Sequence, residues 1–215
     1  MNGNHEKLCP SPEWAAHLQG DVLPAVTSGV DLGAEMLEIG PGPGAATDWL
    51  RFKVGALTAV EVDPVAAGRL AERFAGTNVV VRTGDATRLP DADESFDSVG
   101  TFTMLHHIPT AALQDRMLAE AFRVLRPGGV LVCSDSLASN DLHHFHEGDT
   151  YNPVEPSSLL GRLQAIGFGP VTIRVDGVLT FTARKPRPEA EACGAEAASV
   201  RPRIRTRPAS VGVRR

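Results

Sequence analysis

Cysteine is scarce in this 215-residue sequence. Cys9, Cys133 and Cys193 are odd in number and far apart, so they build neither a disulfide framework nor a metal-finger spacing. Aromatic residues make up 5% of the chain, with a single Tyr, and few are available to line a broad, flat stacking pocket. No apolar run approaches the ~20 residues needed to span a bilayer, which argues against a membrane protein. No phosphate loop of the form G-x-x-x-x-G-K-S/T is present. The first residues, Met1 to Lys7, contain no basic stretch followed by an apolar one. No secretory leader is expected, and the cytoplasm is the expected location.

Positive charge is short in the body and concentrated at one end. The formal net charge is −5. Seven Arg and three Glu from Pro186 onward make that end +4, which leaves −9 on residues 1–185. An acidic body disfavours nucleic acid as the main partner, because phosphate binding calls for a basic face. Length and apolar content fit one ordinary domain with a sizeable core.

What is present is organised around Met36-Leu37-Glu38-Ile39-Gly40-Pro41-Gly42-Pro43-Gly44. A short apolar run reads as a buried strand and breaks into three glycines spaced two apart. Ala45 to Lys53 then reads as a helix. Strand, glycine turn and helix open a nucleotide-type α/β domain. Gly40-x-Gly42-x-x-Ala45 satisfies the loose dinucleotide fingerprint, but Glu38 shifts the balance. A carboxylate at the strand end repels a pyrophosphate and attracts an α-amino group. S-adenosylmethionine carries an adenosine, an ammonium and a sulfonium without phosphate, so it suits this pattern better than NAD.

Four more apolar strands follow before residue 136, and each ends in polar residues. The second, Leu57–Val62, carries Glu61 21 positions after Gly40, placed to accept ribose hydroxyls. Asp63 before Pro64 reads instead as a helix N-cap. The third, Val79–Thr83, leads to Asp85, a candidate for the adenine amine or a turn-forming Asp. Asp91-Ala92-Asp93-Glu94 reads as a solvated loop. The fourth starts at Phe96 and ends near Thr103, followed by Met104-Leu105-His106-His107-Ile108-Pro109. A helix over Thr110–Val124 is predicted from its apolar spacing. The fifth strand is Val130–Ser134, with Cys133 as an inert core thiol.

Ahead of these, Cys9 to Trp14 reads as a turn and helix start, continuing from Ala15 to Leu23 and ending at Pro24. Trp14 reads as a packing residue, and this segment is placed to act as a lid. Residues 136–156 are polar and hold His143, His144 and His146 among acids. Adjacent His143 and His144 do not easily face one ion, so the segment is read as a cap over a substrate pocket and no metal ligand set is assigned. A helix over Ser157–Ile166, capped by Ser157-Ser158 and stopped by Gly167, precedes Val171–Val175 and Val178–Ala183. Asp176-Gly177 between these runs signals a hairpin. The count is seven strands, the last antiparallel to its neighbour, with helices alternating through the first five. The expected organisation is an N-terminal helical segment over 1–29, a catalytic domain over 30–185 and a basic, Pro/Arg-rich, disordered tail over 186–215.

LEIGPGPG at 37–44, VEVDP at 60–64, GDATRLP at 84–90, SFDSV at 95–99, MLHHIP at 104–109 and RVLRPGG at 123–129 together resemble the class I S-adenosylmethionine-dependent methyltransferases. The likeness is to the small group often labelled methyltransferase type 11, and it covers about residues 30–185. It implies a Rossmann-like three-layer α/β/α sandwich whose seven-stranded, mostly parallel sheet has an antiparallel last strand. It implies that Glu38, Gly40, Pro41, Gly42 and Gly44 surround the methionine part of the cofactor. By the same likeness Glu61 holds the ribose and Val62 lies on the adenine. Asp85 and Ala86 address the adenine edge, and Thr101, Phe102 and Thr103 border the sulfonium. The product would be S-adenosylhomocysteine.

The acceptor is not legible. The N-P-P-Y/F amino-methylation signature and a catechol-type metal pair are both absent. A small-molecule acceptor is expected. His106, His107 and His146 are the candidate general bases, needed only if the nucleophile keeps a proton. The competing expectations are an NAD(P)-dependent reductase and a non-catalytic S-adenosylmethionine-binding partner protein.

Overall fold

Met36 and Leu37 are neighbours in the chain, yet they bury in cores on opposite faces of the sheet. The same alternation separates Ala59 from Val60 and Val130 and Val132 from Leu131 and Cys133. Successive strand side chains point to opposite faces, so a strand covered on both sides reads as a continuous apolar run. The computed structural model describes residues 2–188. The expected basic tail lies outside them, apart from Pro186 to Pro188.

Seven strands form one sheet: β1 (Glu35–Ile39), β2 (Ala56–Glu61), β3 (Val79–Thr83), β4 (Phe96–Phe102), β5 (Leu125–Ser136), β6 (Val171–Asp176) and β7 (Val178–Arg184). Their order is β3-β2-β1-β4-β5-β7-β6. The first five are parallel, and β7 is antiparallel to both β5 and β6. The hairpin at Gly177 therefore inserts β7 inside the sheet and leaves β6 at the edge.

Eight α-helices are described: α1 (Gly3–Leu8), α2 (Pro12–His17), α3 (Leu23–Thr27), α4 (Ala45–Leu50), α5 (Pro64–Arg73), α6 (Ala111–Val124), α7 (Asn140–Phe145) and α8 (Pro156–Ile166). Helices α3, α4 and α5 cover one face and α6 and α8 the other, which completes the three layers. No described helix is long and apolar enough to cross a membrane.

Several expected boundaries move. The first helix does not stop at Pro24: a π turn over Leu18–Val22 joins α2 to α3, which takes Pro24 in its first turn, where its missing N–H costs nothing. The cap of α8 is Glu155, which accepts from the Ser157 amide, and Pro156 opens the helix. No helix links β3 to β4, so the alternation of helices is broken there. That link is also less solvated than its acids suggest. Asp91 pairs with Arg82, and Arg123 binds Asp93 together with the carbonyls of Leu89 and Asp91. As expected, Asp63 caps α5 and Gly167 ends α8 in the left-handed region, whereas Thr110, read as the first residue of its helix, is the cap of α6.

Candidate functional site

The sheet order reverses between β1 and β4. In open α/β sheets the crevice beyond the strand C-termini at such a point is where ligands bind. A cavity of about 630 Å³ lies there. Its wall runs from Glu38 and Ile39 through the glycine turn, Glu61 and Val62, Gly84 to Thr87, and Phe102 to Met104. Cys9, Trp14 and Leu18 close it from the N-terminal side, and His107, Ile108, Pro109 and Leu113 from the other.

The glycine turn is shaped by approach as well as by torsion. Gly40 has φ +67°, and a Cβ there would overlap the Met104 side chain. Gly44 has φ +90°, begins α4, and would strike Leu70 of α5 if it carried a Cβ. Gly44 therefore lets α4 and α5 pack together; it is not part of the cavity wall.

Glu38 is 1% exposed. Its Oε2 accepts from the Thr47 hydroxyl of α4 at 2.7 Å. Burial pushes its carboxyl up to about 7, against the pull of Thr47. Glu61 ties two turns together: Oε2 accepts from the Gly42 amide at 3.2 Å and Oε1 from the Asp63 amide at 3.1 Å. Asp85 closes its own turn by accepting from the amide and hydroxyl of Thr87, both at 2.8 Å, which holds its carboxyl below the usual range. It also faces the cavity, so the turn and binding readings coexist. Thr103 has φ +52°, an unusual torsion for a β-branched residue. Its amide donates to the Ser134 carbonyl at 2.7 Å, and its hydroxyl to the Phe102 carbonyl.

Of the twelve residues expected to hold the cofactor, ten line the cavity; Gly44 and Thr101 do not. Thr101 is fully buried inside β4. Among the three candidate bases only His107 lines the wall. His106 and His146 are buried behind it, His106 Nδ1 on Asp135 and His146 Nδ1 on the Leu142 carbonyl. Burial, then the His106, His5 and His146 rings, push His107 down to about 3. Trp14 packs on Ala45 and Leu18 and also faces the cavity. Sequence reading missed Thr47, Arg69 and Met104 on or beside this wall, and it missed His5 entirely. Only Thr47 had a signal, a hydroxyl in the first turn after the glycines.

The wall carries Glu38, Glu61, Asp63 and Asp85 against one Arg, Arg69. That excess of acid fits a cationic ligand with free hydroxyls and opposes a pyrophosphate. S-adenosylmethionine has this chemistry, and the Gly40–Gly42 backbone on the wall is bare main chain.

Residues 37–133 match the family model described as a methyltransferase domain. The chain is 33% identical over 118 residues to the methyltransferase GfsG of Streptomyces halstedii, covering 53% of this chain and 41% of that protein. It is 36% identical over 130 residues to the phthiotriol/phenolphthiotriol dimycocerosates methyltransferase 1 of Mycobacterium ulcerans, covering 59% and 46%. The matches thus span less than half the length of these relatives. Among solved structures, phosphoethanolamine N-methyltransferase 2 of Haemonchus contortus, in complex with S-adenosyl-L-methionine, superposes with a TM-score of 0.67. It is 15% identical, and the match covers 87% of this chain and 61% of that one.

Proposed function

The chain belongs to the class I S-adenosylmethionine-dependent methyltransferases, and from that premise we propose that its cavity transfers a methyl group from S-adenosylmethionine to a small-molecule acceptor. The observation that carries the reading is the buried Glu38 carboxylate at the floor of an acidic, glycine-cradled cavity. Glu38 and the turn from Gly40 to Gly42 hold the amino-acid part, Glu61 the ribose, and Asp85 with Ala86 the adenine edge. Phe102 and Thr103 border the reacting end. When bound, the cofactor supplies an electrophilic methyl on a sulfonium that departs as a neutral thioether.

The protein's own task is alignment, which for a well-oriented pair is worth ~7–11 kcal/mol of barrier. His107, neutral and weakly basic in its buried setting, is not suited to take a proton from a hydroxyl. No general base is assigned among His106, His107 and His146. A cavity of this size fits a small molecule, and the acidic wall supports such an acceptor over nucleic acid. The N-terminal segment acts as a lid through Cys9, Trp14 and Leu18. Scarce cysteine supports a reducing, cytoplasmic setting.

Calorimetric titration with S-adenosylmethionine, S-adenosylhomocysteine, NADH and NADPH tests the reading. Binding of the two sulfur compounds alone, lost in Glu61→Ala, supports it. Binding of a nicotinamide cofactor alone overturns it. Binding of S-adenosylmethionine with no turnover against any acceptor panel points to a non-catalytic partner protein.

A further inference from the structure

Four histidines from three distant parts of the chain meet behind the cavity wall. His5 comes from α1, His106 and His107 from the turn after β4, and His146 from the end of α7. One ring nitrogen of each lies within 4.8 Å of the others. His5, His106 and His146 are almost fully buried.

The hydrogen bonds around the rings fix where their protons are. The Leu142 carbonyl can only accept, so His146 Nδ1 carries the proton in their 2.6 Å contact. Asn2 Oδ1 accepts from the amides of Asn4 and His5, while Asn2 Nδ2 donates to the carbonyls of Phe145 and Glu147. That amide orientation makes His5 Nδ1 the donor in its 2.9 Å contact with Asn2 Oδ1. His106 Nδ1 meets the Asp135 carboxylate and is protonated by the same logic. In their neutral forms these three rings carry their lone pairs on Nε2.

Two of those lone pairs face each other. His5 Nε2 and His146 Nε2 are 3.2 Å apart. This contact is repulsive unless a cation stands between them. A metal ion bound tetrahedrally at ~2.0–2.1 Å from each nitrogen would hold neighbouring nitrogens about 3.4 Å apart, close to the His5–His146 separation. The backs of the rings rest on a carboxylate, an amide oxygen and a carbonyl, the outer-shell pattern that orients metal-binding imidazoles. Asp135 and Asp149, the latter 3.4 Å from His5 Nδ1, supply compensating negative charge.

We infer that His5, His106, His107 and His146 form a site for one divalent first-row transition ion, of which zinc is the working example. Four neutral nitrogen donors suit zinc, copper or nickel and not the oxygen-seeking magnesium or calcium. Four protein ligands make a closed, structural site. The ion clasps α1 to the turn carrying His107, and so fixes the segment whose Cys9, Trp14 and Leu18 close the cavity. The site is independent of the cofactor reading, and it is tested without cofactor.

The protein is purified without a histidine tag, stripped with chelator, loaded with one equivalent of Zn²⁺ or Co²⁺ and desalted. Elemental analysis is expected to find one metal per chain, and Co²⁺ to give visible bands of tetrahedral intensity. Loading is expected to raise Tm by about 5–10 °C and to slow protease cleavage before residue 30. His5→Ala and His146→Ala, checked for folding by circular dichroism, lose stoichiometric binding, whereas His143→Ala keeps it. Less than a tenth of an equivalent retained by the wild-type chain overturns the site. Full binding by folded His5→Ala overturns the clasp. Cofactor titration of the stripped protein then reads the methyltransferase proposal separately.

Discussion

The Thr47 hydroxyl of α4 reaches across the glycine turn and donates to the Glu38 carboxylate at 2.7 Å, inside the fold and away from water. The bond joins β1 to α4 across the glycine turn, so the loop is held from both ends. It also gives a buried acid a partner that prefers its ionised form, while burial favours the neutral one.

That balance makes both stability and binding pH-dependent. Glu38 has its carboxyl raised from 4.5 to about 7. The folded state therefore binds this proton more tightly than the unfolded chain. The associated stability is fully present below about pH 4.5 and is lost as pH rises through 7, on the order of 3 kcal/mol. Urea melts of wild type and Glu38→Gln across pH 4.5–8 should diverge by that slope. A cationic cofactor reverses the preference, so S-adenosylmethionine affinity should climb as pH passes 7, and Glu38→Gln should bind about 10–100-fold more weakly at pH 8. A flat affinity profile would remove Glu38 from the binding role.

Thr47→Val keeps shape and removes the donor. Above pH 7 it strands a buried carboxylate and should cost about 1–3 kcal/mol, measured by chemical denaturation at pH 8. At pH 5, with Glu38 neutral, the penalty should shrink.

Gly40→Ala places a methyl group against Met104 at a torsion that L-residues avoid. The backbone term alone is roughly 1–2 kcal/mol. Tm should fall and S-adenosylmethionine binding should weaken. Adding Met104→Ala should recover the steric part and leave the torsional part, which a double-mutant cycle separates.

Arg123 binds the carbonyls of Leu89 and Asp91 and the carboxylates of Asp93 and Glu120. Its substitution should be felt at the adenine end of the cavity, because it secures the link that contains Asp85 and Ala86. Arg123→Met is expected to destabilise by about 1–3 kcal/mol. It should weaken adenosine-containing ligands several-fold while leaving methionine binding unchanged. Equal losses for both ligands would contradict the assignment.

The strands and the glycine turn could be read from the sequence because their causes are local. Apolar runs mark β1, β2, β4 and β5, and Asp63-Pro64 and Gly167 carry their capping chemistry in one or two residues. The β3–β4 link was legible as a loop but not as a braced one, since Arg123 reaches it from 30 residues away. Most of the residues read as cofactor-binding line the cavity, for the same reason as the strands: they sit at strand ends. Gly44 and Thr101 belong to those motifs yet do not line the cavity, because one lets α4 pack closely on α5 and the other is fully buried within β4. The histidine cluster had no sequence signature. His5 and His146 are 141 residues apart, and no spacing rule links a terminal helix to a loop after the fifth strand.

Strand β7 lies between β5 and β6, although it follows both in the chain. On a ribosome, β5 and β6 emerge first and cannot pair with each other in their final places, because a gap one strand wide must stay open. The seven residues from Val178 to Arg184 fill that gap through ladders on both sides. The sheet therefore closes like a keystone arch, with its last-made strand set into the interior. A chain cut before Val178 loses both ladders and leaves the β5 edge unpaired, the kind of open edge that invites aggregation.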